Sequence, residues 1–552
     1  MPDGTRSIVN ASWLPSARIQ SSDSLTAGPT PVHILSAHGP QRCCWMLRQN
    51  WVKIADMLRR LLEAAAVGVA GFLAIGLVLY LFGLRVVLYG GGTPRLKFVE
   101  SAGARAAAVA RHREAQRAQA GPASSAPPLP ASSSPTAAAA PPTPAAVARV
   151  AAAENAAPVA SSPYWTDFRG PSRDGHYRER PILTAWPASG LKSIWKQPVG
   201  GGYASFVIAR GRAFTIEQRG PEEVVAAYEV ATGRELWTNA WAAEFREFMG
   251  GDGPRATPTW SDGRVYALGA LGELRSLDDA SGRVLWRINI LEDNGASVLQ
   301  WGTATSPLVV DDTIIVVPGG PNGRSVVAYD RRTGARAWSA LDDKAAYSSP
   351  MLVTLGGVRQ MLVFSASRLM GLTPDRGEVL WDYPWTTQYD VNAGQPLVIG
   401  DNHVFISSGY GAGAAVVEVS RNGDRFSVRQ VWKNIRMKNQ FTSSVLYEGF
   451  VYGLDESILA CVDAATGDLK WKGGRYGYGQ VVLASGHLIV LTEDGDLALV
   501  RATPERHEEL ARFSALDGKT WNHPALSDGY LLVRNLKEMA AFDLRITAAT
   551  RR

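Results

Sequence analysis

Sulfur is scarce: 552 residues hold three cysteines. Cys43 and Cys44 are adjacent and Cys461 stands alone, so no disulfide framework, zinc spacing or Cys-x-x-Cys-His haem attachment can be assembled within the last two thirds of the chain. Cys461 takes the place that Ala328, Ser276 and Gly371 hold in other copies of a repeat, which predicts a packed thiol and not a reactive one. Histidine is also thin, and His403, His487, His507 and His523 show no paired spacing for a metal. Nor is there a basic surplus where a nucleic acid would need it. Residues 1–162 hold 15 Lys and Arg against 7 Asp and Glu, whereas the remainder holds 42 against 44. The net charge of +6 therefore belongs to the N-terminal part, and the rest lacks the footprint of a nucleic-acid binder.

Long apolar runs are missing except for one. Ala64 to Leu84 is free of charge for 21 residues, enough to cross a hydrocarbon core of about 30 Å. The sequence predicts a single transmembrane signal anchor over 61–89, preceded by a tail over 1–60 whose first 45 or so residues read as an over-long gene start, with Met46 and Met57 as alternative starts. Arg48, Lys53, Arg59 and Arg60 precede the span and Arg85, Arg95 and Lys97 follow it, a small charge bias toward an inside N-terminus, and a short tail before a single early span is expected to leave the bulk of the chain outside. Residues 90–162 read as a juxtamembrane segment, helical over about 97–119, and then an Ala/Pro/Ser-rich linker that cannot bury a core and is expected to be disordered. Such a tether would hold a domain on the order of 100 Å from the bilayer.

From Tyr164 onwards the chain repeats. Ala328-Tyr329-Asp330-Arg331-Arg332-Thr333-Gly334-Ala335-Arg336-Ala337-Trp338 recurs with Gly233 before Trp237, Gly282 before Trp286, Gly377 before Trp381 and Gly467 before Trp471, the glycine always four residues ahead of the indole. A turn glycine between two strands, with a bulky aromatic on the second, is a hairpin that needs a neighbour to cover its ring. Counting strand-ending aromatics gives Trp195, Trp237, Trp286, Trp338, Trp381, Trp432, Trp471 and Phe513. Two-residue turn signals give the same number: Arg210-Gly211, Asp262-Gly263, Asp311-Asp312, Gly356-Gly357, Gly400-Asp401, Glu448-Gly449, Ser485-Gly486 and Asp528-Gly529. The fold class is thus all-β, an eight-bladed β-propeller over 163–546 followed by a tail over 547–552, with the seven tryptophans as docking residues between sheets. The first tryptophan has no three strands before it and the last copy lacks a fourth, so the N-terminal strand is expected to close the final blade.

The Ala-x-Asp-x-x-Thr-Gly-x-x-x-Trp pattern resembles the docking motif of quinoprotein-type repeats, the PQQ-like (pyrrolo-quinoline quinone repeat) β-propeller family. The opening Trp165-x-Asp167-Phe168-Arg169-Gly170-Pro171-Ser172-Arg173-Asp174-Gly175 is similar to a bacterial branch labelled after the outer-membrane assembly factor BamB or after alcohol dehydrogenases. The resemblance implies either a non-catalytic binding or envelope-assembly scaffold, with no cofactor, or a PQQ-dependent dehydrogenase of alcohols or sugars. The second would need calcium beside the quinone, a carboxylate base and often a vicinal disulfide in the propeller. The scaffold is the preferred expectation: a single-pass protein of the bacterial inner membrane with its propeller in the periplasm or outside the cell, anchored by one helix, with an envelope protein or polymer as partner.

A propeller's inner strands begin near one mouth of its channel, so residues just ahead of them form a ring. Reading these off gives Arg255, Trp301, Lys344, Tyr347, Asn392, Gln395, Lys438, Asn439, Gln440 and His523 as candidate ligand-binding residues, with Tyr203, Tyr478, Gln480 and Asn522 beside them. The ring is polar, aromatic and cationic, suited to an anionic ligand, or simply wet as channel mouths are. It contains no carboxylate. Asp390 is the nearest candidate base and Asp252 the next, and residues beside turns are more often caps.

Overall fold

The computed structural model describes residues 41–120 and 164–546. The tail before Gln41, the Ala/Pro/Ser-rich stretch expected to be disordered and residues 547–552 lie outside the described residues. Helix α1 runs from Gln41 to Leu81, and Trp51–Leu81 is long and apolar enough to cross a membrane. The helix stops before the apolar run does. Gly83 takes a positive φ of 95°, and Leu84–Tyr89 leaves it as strand β1, paired with β2 (Thr93–Phe98) in an antiparallel hairpin. The expectation of helix to residue 89 fails there because the turn glycine is followed by Val86 and Val87, which prefer an extended chain. Helix α2 follows over Ala102–Ala120.

Eight sheets follow, spanning 207–242, 259–289, 308–340, 351–384, 397–434, 445–475, 480–514 and 525–543, here called blades one to eight. At six of the eight junctions the first strand of a blade meets the first strand of the next, so these strands ring the axis. Each expected two-residue turn joins a first to a second strand, and its leading residue sits at φ between 47° and 56°, the left-handed geometry of a tight hairpin. Strand β3 (His176–Tyr177) adds in parallel to blade seven, and β4 (Ser193–Pro198) pairs with 538–542 to complete blade eight. The two ends of the propeller thus share one sheet, as the missing strands at either end of the repeat predict.

The core lies between sheets, in apolar clusters each bridging adjacent blades. In seven blades the docking indole faces a third-strand residue across the pair, Ala227, Ser276, Ala328, Gly371, Val416, Cys461 or Ala541. Six of the seven are small, which leaves room for the ring, and burial pushes the Cys461 thiol up to about 12. Five indoles donate Nε1–H to a carbonyl of the next blade's turn, as Trp286 does to Arg331 at 3.0 Å. Blade seven departs from the count. By register its indole position is Ala511, not Phe513, and Trp186 from the lead-in chain packs against Phe513 at 5.8 Å to fill the gap.

The lead-in segment 165–175 fills the channel. Innermost strands have a free edge, and their amides are met by its carbonyls: Ile208 N donates to Trp165 O, Trp260 N to Thr166 O and Leu483 N to Gly175 O, at 2.7–2.9 Å. Two fully buried guanidiniums reach further. Arg169 donates to Ser444 O at 2.7 Å, and Arg173 to Ser306 O at 3.2 Å, Pro350 O at 2.8 Å and Asp167 Oδ1 at 3.0 Å. A buried charge is tolerated when its donors are used, and here carbonyls from separate blades take most of them, Arg169 Nε being left without a partner.

Candidate functional site: the mouth of the channel

Above that plug the mouth widens into a chamber of about 220 Å³. Phe168 and His523 form its floor, Tyr203, Trp301, Tyr347, Tyr410, Phe441 and Trp521 supply aromatic wall, and Arg255, Gln440 and Gln480 are polar. The roof is Leu88–Gly92, the tip of the β1–β2 hairpin. Gly90 N donates to Glu493 Oε1 at 2.6 Å, a carboxylate that also accepts from Trp521 Nε1 at 2.8 Å and Tyr478 N at 3.2 Å. Gly90 lies so close to the Tyr478 ring that any Cβ would overlap it. Lys519 Nζ reaches Leu88 O at 3.3 Å and Gly250 O at 2.8 Å over the Trp521 ring, and burial pushes its pKa down to about 8. Arg95 of β2 pairs with Asp494 at 2.6 Å.

Helix α2 is held too. Arg105, Val109, His112, Arg113 and Gln116 share one face, the 3.6-residue period placing them together. Arg113 is buried, 3.2 Å from Glu235 and donating to Gln197 Oε1 and Pro198 O at 3.0 Å, while Arg105 stands 3.7 Å from Asp252. The segment expected as a juxtamembrane helix over about 97–119 is helical and packs on the propeller. The residues on both sides of 121–163 belong to one compact unit.

The ten ring residues divide. Arg255, Trp301, Tyr347, Gln440 and His523 line the chamber. Burial lowers the Arg255 pKa, and its Nη atoms are spent on Gly253 O and, at 2.7 Å, Gly251 O. Tyr347 is pushed up to about 12 by burial. His523, buried beside Arg169, is driven down to about 3, with its ring nitrogens against Pro524 O and Val481 O. The other five are engaged elsewhere. Lys344 pairs with Asp390 at 2.5 Å, and Lys438 with Asp455 and Glu456 at 3.4 Å. Asn392 donates to Ser365 O, Asn439 to Leu454 O, and Gln395 accepts from Ser348 and Ser349, tying strand starts to their neighbours.

Glu493 adds a carboxylate beside the hairpin tip, outside the ring of residues ahead of the inner strands. It arrives from the turn between the second and third strands of blade seven, which a reading confined to residues ahead of inner strands passes over. Its signal was present in Glu493-Asp494-Gly495-Asp496, an acidic turn. Lys519 and Trp521 likewise lie outside that ring, and Leu84–Tyr89, expected as the end of the helix, is strand.

A tricarboxylate quinone does not fit this arrangement. The hairpin tip stands across its entrance, two of three expected cations are paired outside the chamber, and Arg255 is committed to its own loop. Among the described residues no group of three His, Cys, Asp or Glu side chains is placed to hold a metal ion.

Residues 221–473 match the family model described as outer membrane protein assembly factor BamB. The chain is 22% identical over 319 residues to outer membrane protein assembly factor BamB of Bordetella pertussis, an overlap of 54% of this chain and 73% of that protein. Two solved structures share the fold. A europium-containing methanol dehydrogenase aligns at a TM-score of 0.53 and 12% identity over 69% of this chain and 98% of that one. The quinohemoprotein alcohol dehydrogenase of Comamonas testosteroni aligns at 0.50 and 14% over 70% and 82%.

Proposed function

We propose, on the premise that the chain carries a propeller of PQQ-like repeats behind an apolar helix, that it is a non-catalytic scaffold. Helix α1 spans the bacterial inner membrane, the propeller stands in the periplasm, and a protein or polymer of the envelope is its partner. The observation that carries this reading is the hairpin tip seated in the mouth that a quinone would have to enter. A fold alone assigns no chemistry, but side chains committed to holding the protein's own backbone are not free for turnover. Glu493 serves Gly90, Asp390 serves Lys344, and Arg255 serves its loop. The name of the Bordetella relative, an assembly factor, points the same way.

A PQQ-dependent dehydrogenase is the second reading, favoured by the aromatic chamber. It requires the hairpin to leave. Titrating the full-length protein in detergent with PQQ and Ca²⁺, while following absorbance and artificial-acceptor reduction over alcohols and sugars, separates the two. The scaffold predicts no saturable binding and no turnover; both together would overturn it. Crosslinking in envelope membranes should then recover one reproducible partner.

A further inference from the structure

We infer that the mouth face of the propeller rests on the lipid surface of the membrane. This builds on the reading of α1 as a span and goes beyond it, because a tether alone leaves any face free to meet the bilayer.

The two faces differ in what they expose. One carries the eight two-residue turns and the Thr-Gly turns of the repeat. The other carries the connections into the inner strands, together with the hairpin. Among the described residues from Leu84 onwards, the four most exposed large apolar side chains are Phe248 (79%), Ile435 (73%), Leu96 (69%) and Phe98 (68%). All four stand on the mouth side, the first two on connections out of blades one and five and the other two on β2. Tyr389 and Met249 join them there. On the blade rims and the opposite face no such side chain exceeds 40%. Single exposed apolar residues need no explanation, but their confinement to one face marks an interaction surface.

The chain itself names the occupant. Only Phe82 and Gly83 separate Leu81, the last residue of the apolar helix, from β1, and a link that short spans no more than about 10 Å. The hairpin base is thus held beside the helix end, while its tip is fixed in the mouth by Glu493, Lys519 and the Arg95–Asp494 pair. The cations Arg85, Arg95 and Lys97 alternate with Val86, Leu96 and Phe98, the mixture of apolar and basic side chains that suits the headgroup boundary.

The test uses the full chain with Cys43→Ser, Cys44→Ser and Cys461→Ala, carrying one bimane-labelled cysteine at a time, in nanodiscs of phosphatidylcholine and phosphatidylglycerol. Labels at Phe248→Cys and Ile435→Cys should lose fluorescence when a lipid bearing a shallow nitroxide is included, whereas one at Asp312→Cys, on the opposite face, should not. A label at Gly71→Cys reports the span with a deep nitroxide. Loss at Gly71 without loss at Phe248 and Ile435 overturns the inference and leaves the span standing. No loss at Gly71 overturns the span. Protection of Phe248 and Ile435 only after membrane extract is added assigns the face to a protein and also overturns the inference.

Discussion

The repeated glycine has two tasks, and only one is legible along the chain. Its positive φ follows from its place in a turn, 76° at Gly467, for instance. Its second task is to leave space: a Cβ on Gly467 would stand 2.7 Å from the Trp432 ring of the preceding blade, and one on Gly233 the same distance from Trp195. The motif therefore records contact between successive copies, the indole of one against the turn of the next. Replacing Gly449, at φ 82° with open space around it, measures backbone strain alone, about 1 kcal/mol. Gly467→Ala adds overpacking and should cost about 1–3 kcal/mol more, read as a lower urea midpoint at unchanged slope. Equal losses for the two would refute the docking role. The offset in blade seven was not legible, because Phe513 mimics a docking residue in sequence and only strand register assigns that position to Ala511.

At the scale of elements, apolar content was easier to read than conformation. Leu84–Tyr89 continues the hydrophobic run of α1, and nothing in its composition separates a helix end from a strand except Gly83 and two valines. Its destination was beyond local reading, since Gly90 and Glu493 lie 403 residues apart in sequence. Alternating turns and strands, by contrast, are local signals, and the blades followed from them. Gly90→Val would drive a branched side chain into the Tyr478 ring and expel the tip, leaving Glu493 without that donor. Hydrogen exchange should then rise in residues 84–98 while blade strands stay protected. Unchanged protection at the hairpin would mean that the mouth accommodates the substitution.

For the whole molecule, the chain reaches the propeller twice, first through the hairpin and α2 and again at Tyr164. A site-specific protease sequence inserted between residues 121 and 163 tests this arrangement. After cleavage the propeller should stay with the detergent micelle through gel filtration, held by the mouth contacts and the Arg113–Glu235 pair. The same cut in a Gly90→Val, Arg113→Ala protein should release it. Retention of neither protein would show that the described contacts are too weak to hold. Ring closure was legible because both incomplete ends were visible in the sequence, whereas the packing of 84–120 was hidden because its partners, Glu235 and Glu493 among them, lie far along the chain. The shared blade also sets an order of synthesis. Strand β4 leaves the ribosome long before residues 538–542 that complete its sheet, so throughout translation it carries an unpaired edge, the kind that recruits strands from other chains. A product truncated after residue 528 keeps that edge for good, and aggregation, not a seven-bladed protein, is its expected fate.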